Sequence, residues 1–241
     1  MTIHTTRWPS GLHPVRGIMS VPELLVDDEG AVLIDTGFPG DLGRIRAAMT
    51  RAGIGPRDVR AILLTHGHID HAGNAAALRE WTGAPVHAHP LEQAHLDGVY
   101  PYSGLARVCG VLEAVARGVT GYRPARIDVP LADGDVLPFW GGLRVVHLPG
   151  HTLGHCGFLS LRHDLLFSGD LWVRFLLRTQ LSPRIFTSAP ERVVPSLRRA
   201  RDLGARWIVP GHFDVADVRQ LKFRFEELCA YVLRPRARRI V

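Results

Sequence analysis

Short aliphatic runs that end beside Asp or His recur along the 241-residue chain and constrain its fold more than any other feature. The runs have the length of β-strands, and a Gly usually stands near the polar residue and lets the backbone turn closely. They alternate with stretches of helical period, which is typical of α/β proteins. Ligands in such proteins gather beyond the carboxyl ends of strands, so these polar residues are expected to converge on one site. The runs 31–34, 61–64, 143–148, 165–167 and 207–209 precede Asp35, His66, His151, Asp170 and His212.

The segment 66–71 places four ionisable side chains in six positions directly after an aliphatic run. Water is the most favourable environment for such groups, so their position indicates that something compensates their charge and desolvation, and a metal ion does this. Imidazole and carboxylate donors without thiolate suit Zn²⁺, with iron or manganese as possible alternatives. The predicted ligands are His66, His68, Asp70, His71, His151, Asp170 and His212.

The order and spacing of these motifs resemble the metallo-β-lactamase superfamily, in particular its glyoxalase II-like and lactonase-like branch. The resemblance implies an α/β fold, the four-layer αββα metallo-β-lactamase sandwich, with the metals at one edge. The motifs that carry it are Ile34-Asp35-Thr36-Gly37, His66-x-His68-x-Asp70-His71, Pro149-Gly150-His151-Thr152, Ser168-Gly169-Asp170 and Pro210-Gly211-His212.

The same resemblance implies two metal ions, by default two Zn²⁺, with different ligands. Asp170 would bridge them, Asp35 would orient a ligand by hydrogen bonding, and Asp70 would pass a proton to the leaving group. One metal would be held by His66, His68 and His151, and the other by Asp70, His71 and His212.

We therefore expect a dinuclear zinc hydrolase that cleaves an ester, thioester or lactone with a metal-bound hydroxide. The apolar segment after Asp170 suggests that the substrate has an apolar portion, with Trp172, Phe175 and Leu176 lining its pocket. A buried turn or a dimer contact explains this segment about equally well.

Departures from the patterns of subfamilies narrow the substrate. The chain has Asp170 where one large group of secreted β-lactamases has Cys, and Val173 where acyl-homoserine lactonases commonly have Tyr. Only 29 residues follow His212, fewer than the helical domain of glyoxalase II enzymes with a full glutathione site needs. The alternatives are a mononuclear iron enzyme of the persulfide dioxygenase type, a phosphodiesterase or nuclease, and a non-catalytic binding protein on the same fold.

Composition and charge set the remaining expectations. The net charge of +6 comes from Arg residues scattered along the chain, with one dense run in 234–239, and aromatic residues are only 7%. We expect a small-molecule substrate, no specific nucleic acid partner, no membrane association and a cytoplasmic protein, with a homodimer possible. Without a linker, repeat or composition break, residues 1–241 are predicted to form one domain.

Three amphipathic stretches, 41–53, 105–119 and 218–232, are predicted to be helices with core-facing apolar stripes. The stripe of the second stretch contains Leu105, Val108, Leu112 and Val115. Cys109, Cys156 and Cys229 are expected to pack in the core. Four further histidines are expected to be structural or exposed rather than ligands, namely His87, His89, His147 and His155.

Overall fold

Two mixed β-sheets dominate the structure, a computed structural model that describes residues 8–175, 178–214 and 217–234. The first sheet has the order β1-β2-β3-β4-β5-β6, with β3 to β6 parallel, and the second has the order β13-β10-β9-β8-β7, with only β10 and β13 parallel. A separate hairpin pairs β11 with β12. The strands are β1 Leu12–Pro14, β2 Glu23–Asp27, β3 Gly30–Ile34, β4 Val59–Leu63, β5 Val86–Ala88, β6 Val129–Pro130, β7 Val136–Leu137, β8 Leu143–His147, β9 Cys156–Ser160, β10 Leu165–Gly169, β11 Trp172–Phe175, β12 Arg178–Leu181 and β13 Trp207–Pro210.

Helices cover the outer faces of both sheets, which gives the predicted αββα layers. The helices α1 and α3 pack on the first sheet, and α6 and α7 pack on the second. None of the helices in the described ranges is long and apolar enough to cross a bilayer. The helices are α1 Leu42–Arg51, α2 Ile69–Ala72, α3 Ala75–Thr82, α4 Gln93–Leu96, α5 Arg107–Thr120, α6 Pro190–Asp202 and α7 Val218–Val232.

The alternation of side chains along the strands of the first sheet explains this layering. Leu24 and Leu33 point to one face and belong to the same buried cluster as Ile45 of α1. Their neighbours Leu25 and Val32 point to the other face and belong to the core between the sheets. Because successive residues of a strand face opposite sides, an aliphatic run without polar interruption fits a strand that is buried on both faces.

The apolar stripes of the three predicted helices are not all buried. In α1 and α7 the apolar stripes face the core as expected, with Met49 and Leu221 fully buried. The prediction for the stripe of 105–119 is wrong. The helix α5 is present, but its Leu112 and Val115 are more than half exposed, because the side chains of Cys109 and Glu113 occupy its inner face instead.

The segment after Asp170 also differs from the prediction. It is strand β11 of a hairpin, and Trp172 is 0% exposed and packs on Phe225 of α7 with 5.6 Å between the ring centroids. A side chain enclosed by the core cannot line a substrate pocket, so the expectation for Trp172 is corrected. The structure gives no account of the Phe175 side chain, and Leu176 lies outside the described residues. The prediction that the substrate has an apolar portion therefore loses its main support.

Candidate metal centre

Parallel pairing brings the polar ends of neighbouring strands together at one edge of each sheet. After β3, the amide of Asp35 donates a hydrogen bond to the carbonyl of Leu63 in β4 (2.8 Å). In the second sheet, the amide of Gly211 donates to the carbonyl of Gly169 (2.9 Å). Six of the seven predicted ligands lie on the segments that follow β4, β10 and β13, including α2, the short helix after β4. His151 lies on the loop that follows β8.

Three buried histidines, His66, His68 and His151, form what we call the tri-histidine half of the centre. One ring nitrogen from each lies within 4.8 Å of those of the other two, and the Nε2 atoms of His66 and His151 are 3.1 Å apart. The Nε2 atom of His68 is buried and has no hydrogen-bond partner among the described residues. A buried polar atom without a partner is costly, and a cation between the three rings would remove that cost.

Asp70, His71 and His212 form what we call the acidic half, which is less deeply buried. Their ligand atoms also lie within 4.8 Å of one another, and His212 Nε2 is 3.2 Å from His71 Nε2 and from Asp70 Oδ2. Asp170 lies between the halves, with Oδ1 3.4 Å from His71 Nε2, and Oδ2 3.2 Å from His212 Nε2 and 3.6 Å from His151 Nε2. The structure therefore brings all seven predicted ligands together.

Hydroxyl groups hold two rings of the tri-histidine half. His66 Nδ1 lies 3.0 Å from the hydroxyl of Thr65, and His151 Nδ1 lies 2.8 Å from the hydroxyl of Ser182. The Thr65 hydroxyl donates its own proton to Asp35, so it accepts from His66. With the proton on Nδ1, His66 keeps a lone pair on the Nε2 atom that faces the centre.

Stronger acceptors hold the rings of the acidic half. His71 Nδ1 lies 2.8 Å from Asp35 Oδ2, and His212 Nδ1 lies 3.0 Å from the carbonyl of Met19. Asp35 also accepts from the amide of Thr65 through Oδ1 (2.8 Å). The φ of Asp35 is +59°, a left-handed conformation that Asp tolerates better than most residues and that often marks functional sites. These contacts place Asp35 behind the ligands, where the resemblance implied it.

The two halves differ in electrostatics. Burial lowers the pKa of both His66 and His151 well below the usual range, and the neighbouring histidines add to this for each ring. Burial also lowers the pKa of His71, but the carboxylates of Asp170, Asp70 and Asp35 outweigh it and raise that pKa to about 9. The pKa of His212 is likewise raised, because the two aspartates outweigh its burial. Without metal, His66 and His151 are neutral, whereas His71 and His212 carry protons.

The donor set fits two divalent cations. Both halves consist of imidazole and carboxylate groups, and a cluster of His66, His71 and Asp170 joins them. Cys109 and Glu113 form a further cluster with His68. Imidazole and carboxylate donors suit Zn²⁺, iron or manganese. The tri-histidine half would hold one ion and the acidic half the other, with Asp170 between them.

Glu92 holds two loops of the site together, and the sequence analysis does not predict this role. Its fully buried carboxylate accepts from the amide of Gly67 (2.7 Å), from the hydroxyl of Thr152 (2.7 Å) and from the amide of Gly154 (2.8 Å). It thereby joins the loop of His66 and His68 to the loop of His151. Burial raises the pKa of Glu92 to about 7, although these hydrogen bonds oppose the shift. The available signal was its position shortly after β5, at a strand end like the other site residues.

Two further residues, also not predicted to belong to the site, accept hydrogen bonds from the backbone of segments that carry predicted ligands. Glu113 of α5 accepts from the amide of Ile69 at the start of α2 (2.8 Å), and the ring of His155 accepts from the amide of Asp170 (3.0 Å). The sequence predicts that His155 is structural or exposed, and the structure shows that it is buried. Glu113 had no signal in the sequence, because it lies within an otherwise apolar helical pattern.

The fold and the site define a metal-dependent hydrolase with a histidine-rich metal site. The chain belongs to the metallo-β-lactamase superfamily, whose family model matches residues 24–212. This finding confirms the resemblance of the motifs.

Similar proteins agree with that membership. The uncharacterized protein Rv2581c of Mycobacterium tuberculosis is 31% identical over 193 residues, covering 76% of this chain and 80% of the relative. The hydroxyacylglutathione hydrolase GloC of Haemophilus influenzae is 28% identical over 166 residues, covering 66% of this chain and 69% of GloC.

Solved structures share the fold. The metallo-β-lactamase family protein TTHA1429 from Thermus thermophilus superposes with a TM-score of 0.71 and 28% identity, covering 92% of this chain and 79% of that protein. TTHA1623, solved in a di-iron-bound form, superposes with a TM-score of 0.62 and 31% identity, covering 86% of this chain and 92% of that protein.

Proposed function

We propose that the protein is a dinuclear zinc hydrolase that cleaves a carboxylic ester, thioester or lactone. The observation that carries the proposal is the convergence of two metal-sized clusters that share the neighbourhood of Asp170. Two divalent cations bound at such a site supply a nucleophilic water at neutral pH and polarise the carbonyl oxygen of the substrate.

Asp70 is the side chain best placed to handle a proton in this reaction. Its carboxylate lies beside His212 and is partly exposed, whereas the carboxylate of Asp35 is enclosed behind His71. Although burial works against ionisation, His71 and His212 hold the pKa of Asp70 below its usual range. Asp70 is therefore an acceptor at neutral pH that orients the attacking water and relays its proton to the leaving group.

The substrate class rests on the relatives and on the donor set. GloC is named as a hydrolase of hydroxyacylglutathione, and the acyl group in such a compound is attached through a thioester. Esters and lactones react at the same kind of carbonyl carbon, so one arrangement of ligands suits all three. Zinc is the metal that we propose, with the di-iron form of TTHA1623 making iron the alternative to test.

A substrate screen on metal-free and zinc-loaded protein tests the proposal. The probes are an acylglutathione thioester, a γ-lactone, an alkyl ester and a phosphodiester. We expect zinc-dependent hydrolysis of at least one carbonyl substrate, loss of that activity in Asp70→Asn and no change in Glu80→Gln, an exposed residue paired with Arg123. Zinc-loaded protein that cleaves only the phosphodiester would contradict the proposed class.

A further inference from the structure

Helix α5 presents its apolar side to solvent, which is the reverse of an ordinary surface helix. The described residues leave much of this side open to solvent. Few charges interrupt it, since Arg107 is its one exposed charged residue within Arg107–Thr120. The exposed fractions are 47% for Val108, 65% for Val111, 52% for Leu112, 60% for Val115 and 79% for Val119, and Leu105, in the 3₁₀ turn directly before α5, is 62% exposed.

Polar contacts on the inner side fix the rotation of α5. Glu113 accepts from the amide of Ile69 (2.8 Å) and from the hydroxyl of Tyr102 (2.7 Å), while Arg117 donates to the carbonyl of His95 (2.8 Å). A rotation that buried the apolar side would expose these partners and break their hydrogen bonds. The apolar side is therefore a stable feature of the surface.

The spacing of the exposed residues indicates that another helix covers them. Leu105, Val108, Leu112, Val115 and Val119, which we call the seam, are separated by three, four, three and four positions. This is the spacing of a coiled-coil contact between helices. A helix that lies on a membrane carries several basic residues around its apolar face, whereas Arg107 is the one exposed charged residue within Arg107–Thr120.

The seam is also complementary to itself. In an antiparallel pair related by a two-fold axis at Leu112, Leu105 faces Val119 of the other copy, and Val108 and Val115 of the other copy lie within one residue of facing each other. In coiled coils, charged residues at the positions that flank the seam usually determine which helix is bound as partner. Here the flanking residues that reach solvent include Val111, Ala116 and Gly118, which bring no like charges together and let the helices approach closely.

We propose that α5 is the contact of a homodimer, in which the seam of one copy packs antiparallel on the seam of a second copy of this chain. Closed two-fold contacts are the commonest in homo-oligomers, and a self-complementary patch is what they require. The same helix holds α2 through Glu113, so the contact would also support one wall of the metal centre.

Sedimentation velocity over a range of micromolar concentrations tests the contact. The wild-type protein should be a dimer, and Leu112→Glu, which places two carboxylates at the axis, should raise the dissociation constant by at least about 100-fold. Leu161→Glu, at a similarly exposed leucine in a turn elsewhere, should leave the dimer unchanged. A wild-type protein that stays monomeric, or a dimer that Leu112→Glu does not weaken, would overturn the proposal.

A second variant tests the geometry without adding charge. Leu112→Cys should form a disulfide-linked dimer under mild oxidation, since residue 112 meets its own copy at the axis, and Leu161→Cys should not. The native cysteines in the described residues are buried and should not interfere. Failure of Leu112→Cys to link in a folded protein would contradict the antiparallel arrangement. Flotation of monomeric protein with anionic vesicles, abolished by Leu112→Glu, would instead assign the seam to a membrane and overturn the dimer.

Discussion

The two halves of the metal centre use similar ligands but prepare them in opposite ways. In the tri-histidine half, hydroxyls hold the buried rings of His66 and His151 and their pKa is lowered. In the acidic half, Asp35 and the other aspartates surround His71, and its pKa is raised to about 9.

This difference indicates how each half meets a metal ion. A neutral imidazole offers its lone pair at once, so the tri-histidine half is ready for a cation at neutral pH. The acidic half must release protons first, but its carboxylates then offset the charge of the ion. We expect the tri-histidine half to bind metal over a wide pH range and the acidic half to depend strongly on pH.

Removal of one ligand from each half gives the largest expected effect. His71→Ala should weaken the metal of the acidic half and His68→Ala the metal of the tri-histidine half. Each loss should exceed the roughly 10–100-fold that loss of an outer hydrogen-bond partner costs, because a direct donor is removed. Competition with a chelator of known affinity measures both sites, and two variants that weaken the same site equally would remove the distinction between the halves.

The second-largest expected effect is the difference between the two halves in how metal affinity depends on pH. Binding to the acidic half displaces protons from His71 and His212, whose pKa values are raised, so its affinity should fall by at least about 10-fold from about pH 8 to about pH 7. Affinity of the tri-histidine half should change little over that interval, because His66 and His151 are already neutral. Chelator competition at both pH values gives the comparison, and equal slopes for the two metals would contradict it.

Glu92→Gln should change how the stability of the metal-free protein depends on pH. The folded pKa of Glu92 is raised from 4.5 to about 7, so the fold favours the protonated acid. Its stabilising contribution is present below about pH 4.5 and is lost as the pH rises through about 7. Relative to Glu92→Gln, the wild type should lose about 3 kcal/mol of unfolding free energy across this interval.

Urea denaturation at about pH 5 and about pH 8 measures this difference. Any effect of the amide on packing is the same at both pH values and cancels in the comparison. Glu80→Gln, which alters an exposed ion pair with Arg123, is the matched control and should show little dependence. A wild type and a Glu92→Gln variant with parallel profiles would show that Glu92 does not bear a buried charge.

The smallest expected effects come from the groups behind the ligands. Asp35→Asn should weaken the metal of the acidic half by about 10–100-fold, since it removes the charged acceptor of His71. Ser182→Ala should weaken the other metal by less than about 10-fold, because a hydroxyl is a weaker partner for His151. Metal titration of both variants checks the order, and a larger effect of Ser182→Ala would reverse the account of the two halves.

The seven predicted ligands come together in the fold because their positions follow from the ends of strands. An aliphatic run fixes where a strand ends, and parallel neighbours such as β3 and β4 must deliver their next residues to the same edge. Glu92 and Glu113 escape this rule, since their role depends on which loop folds over which amide. Such contacts arise between distant segments and leave no local pattern.

The helices show the same limit. The stripe of α7 and the stripe of α5 have similar periods, yet Leu221 is buried and Leu112 is exposed. Periodicity identifies one apolar side of a helix but cannot say whether the core or a second molecule covers it. Trp172 shows the opposite error. It is an apolar residue close to a predicted ligand, and it was expected to line a pocket, but it lies in the core.

Metal content per chain tests the central claim most directly. Elemental analysis of the purified wild-type protein, reconstituted with Zn²⁺ and freed of loosely bound metal by dialysis at about pH 8, should give two equivalents per chain. The same analysis of His71→Ala should give about one, because the tri-histidine half keeps its ligands. A wild-type protein that holds a single metal ion, or a single tightly bound iron that zinc does not replace, would contradict the dinuclear centre.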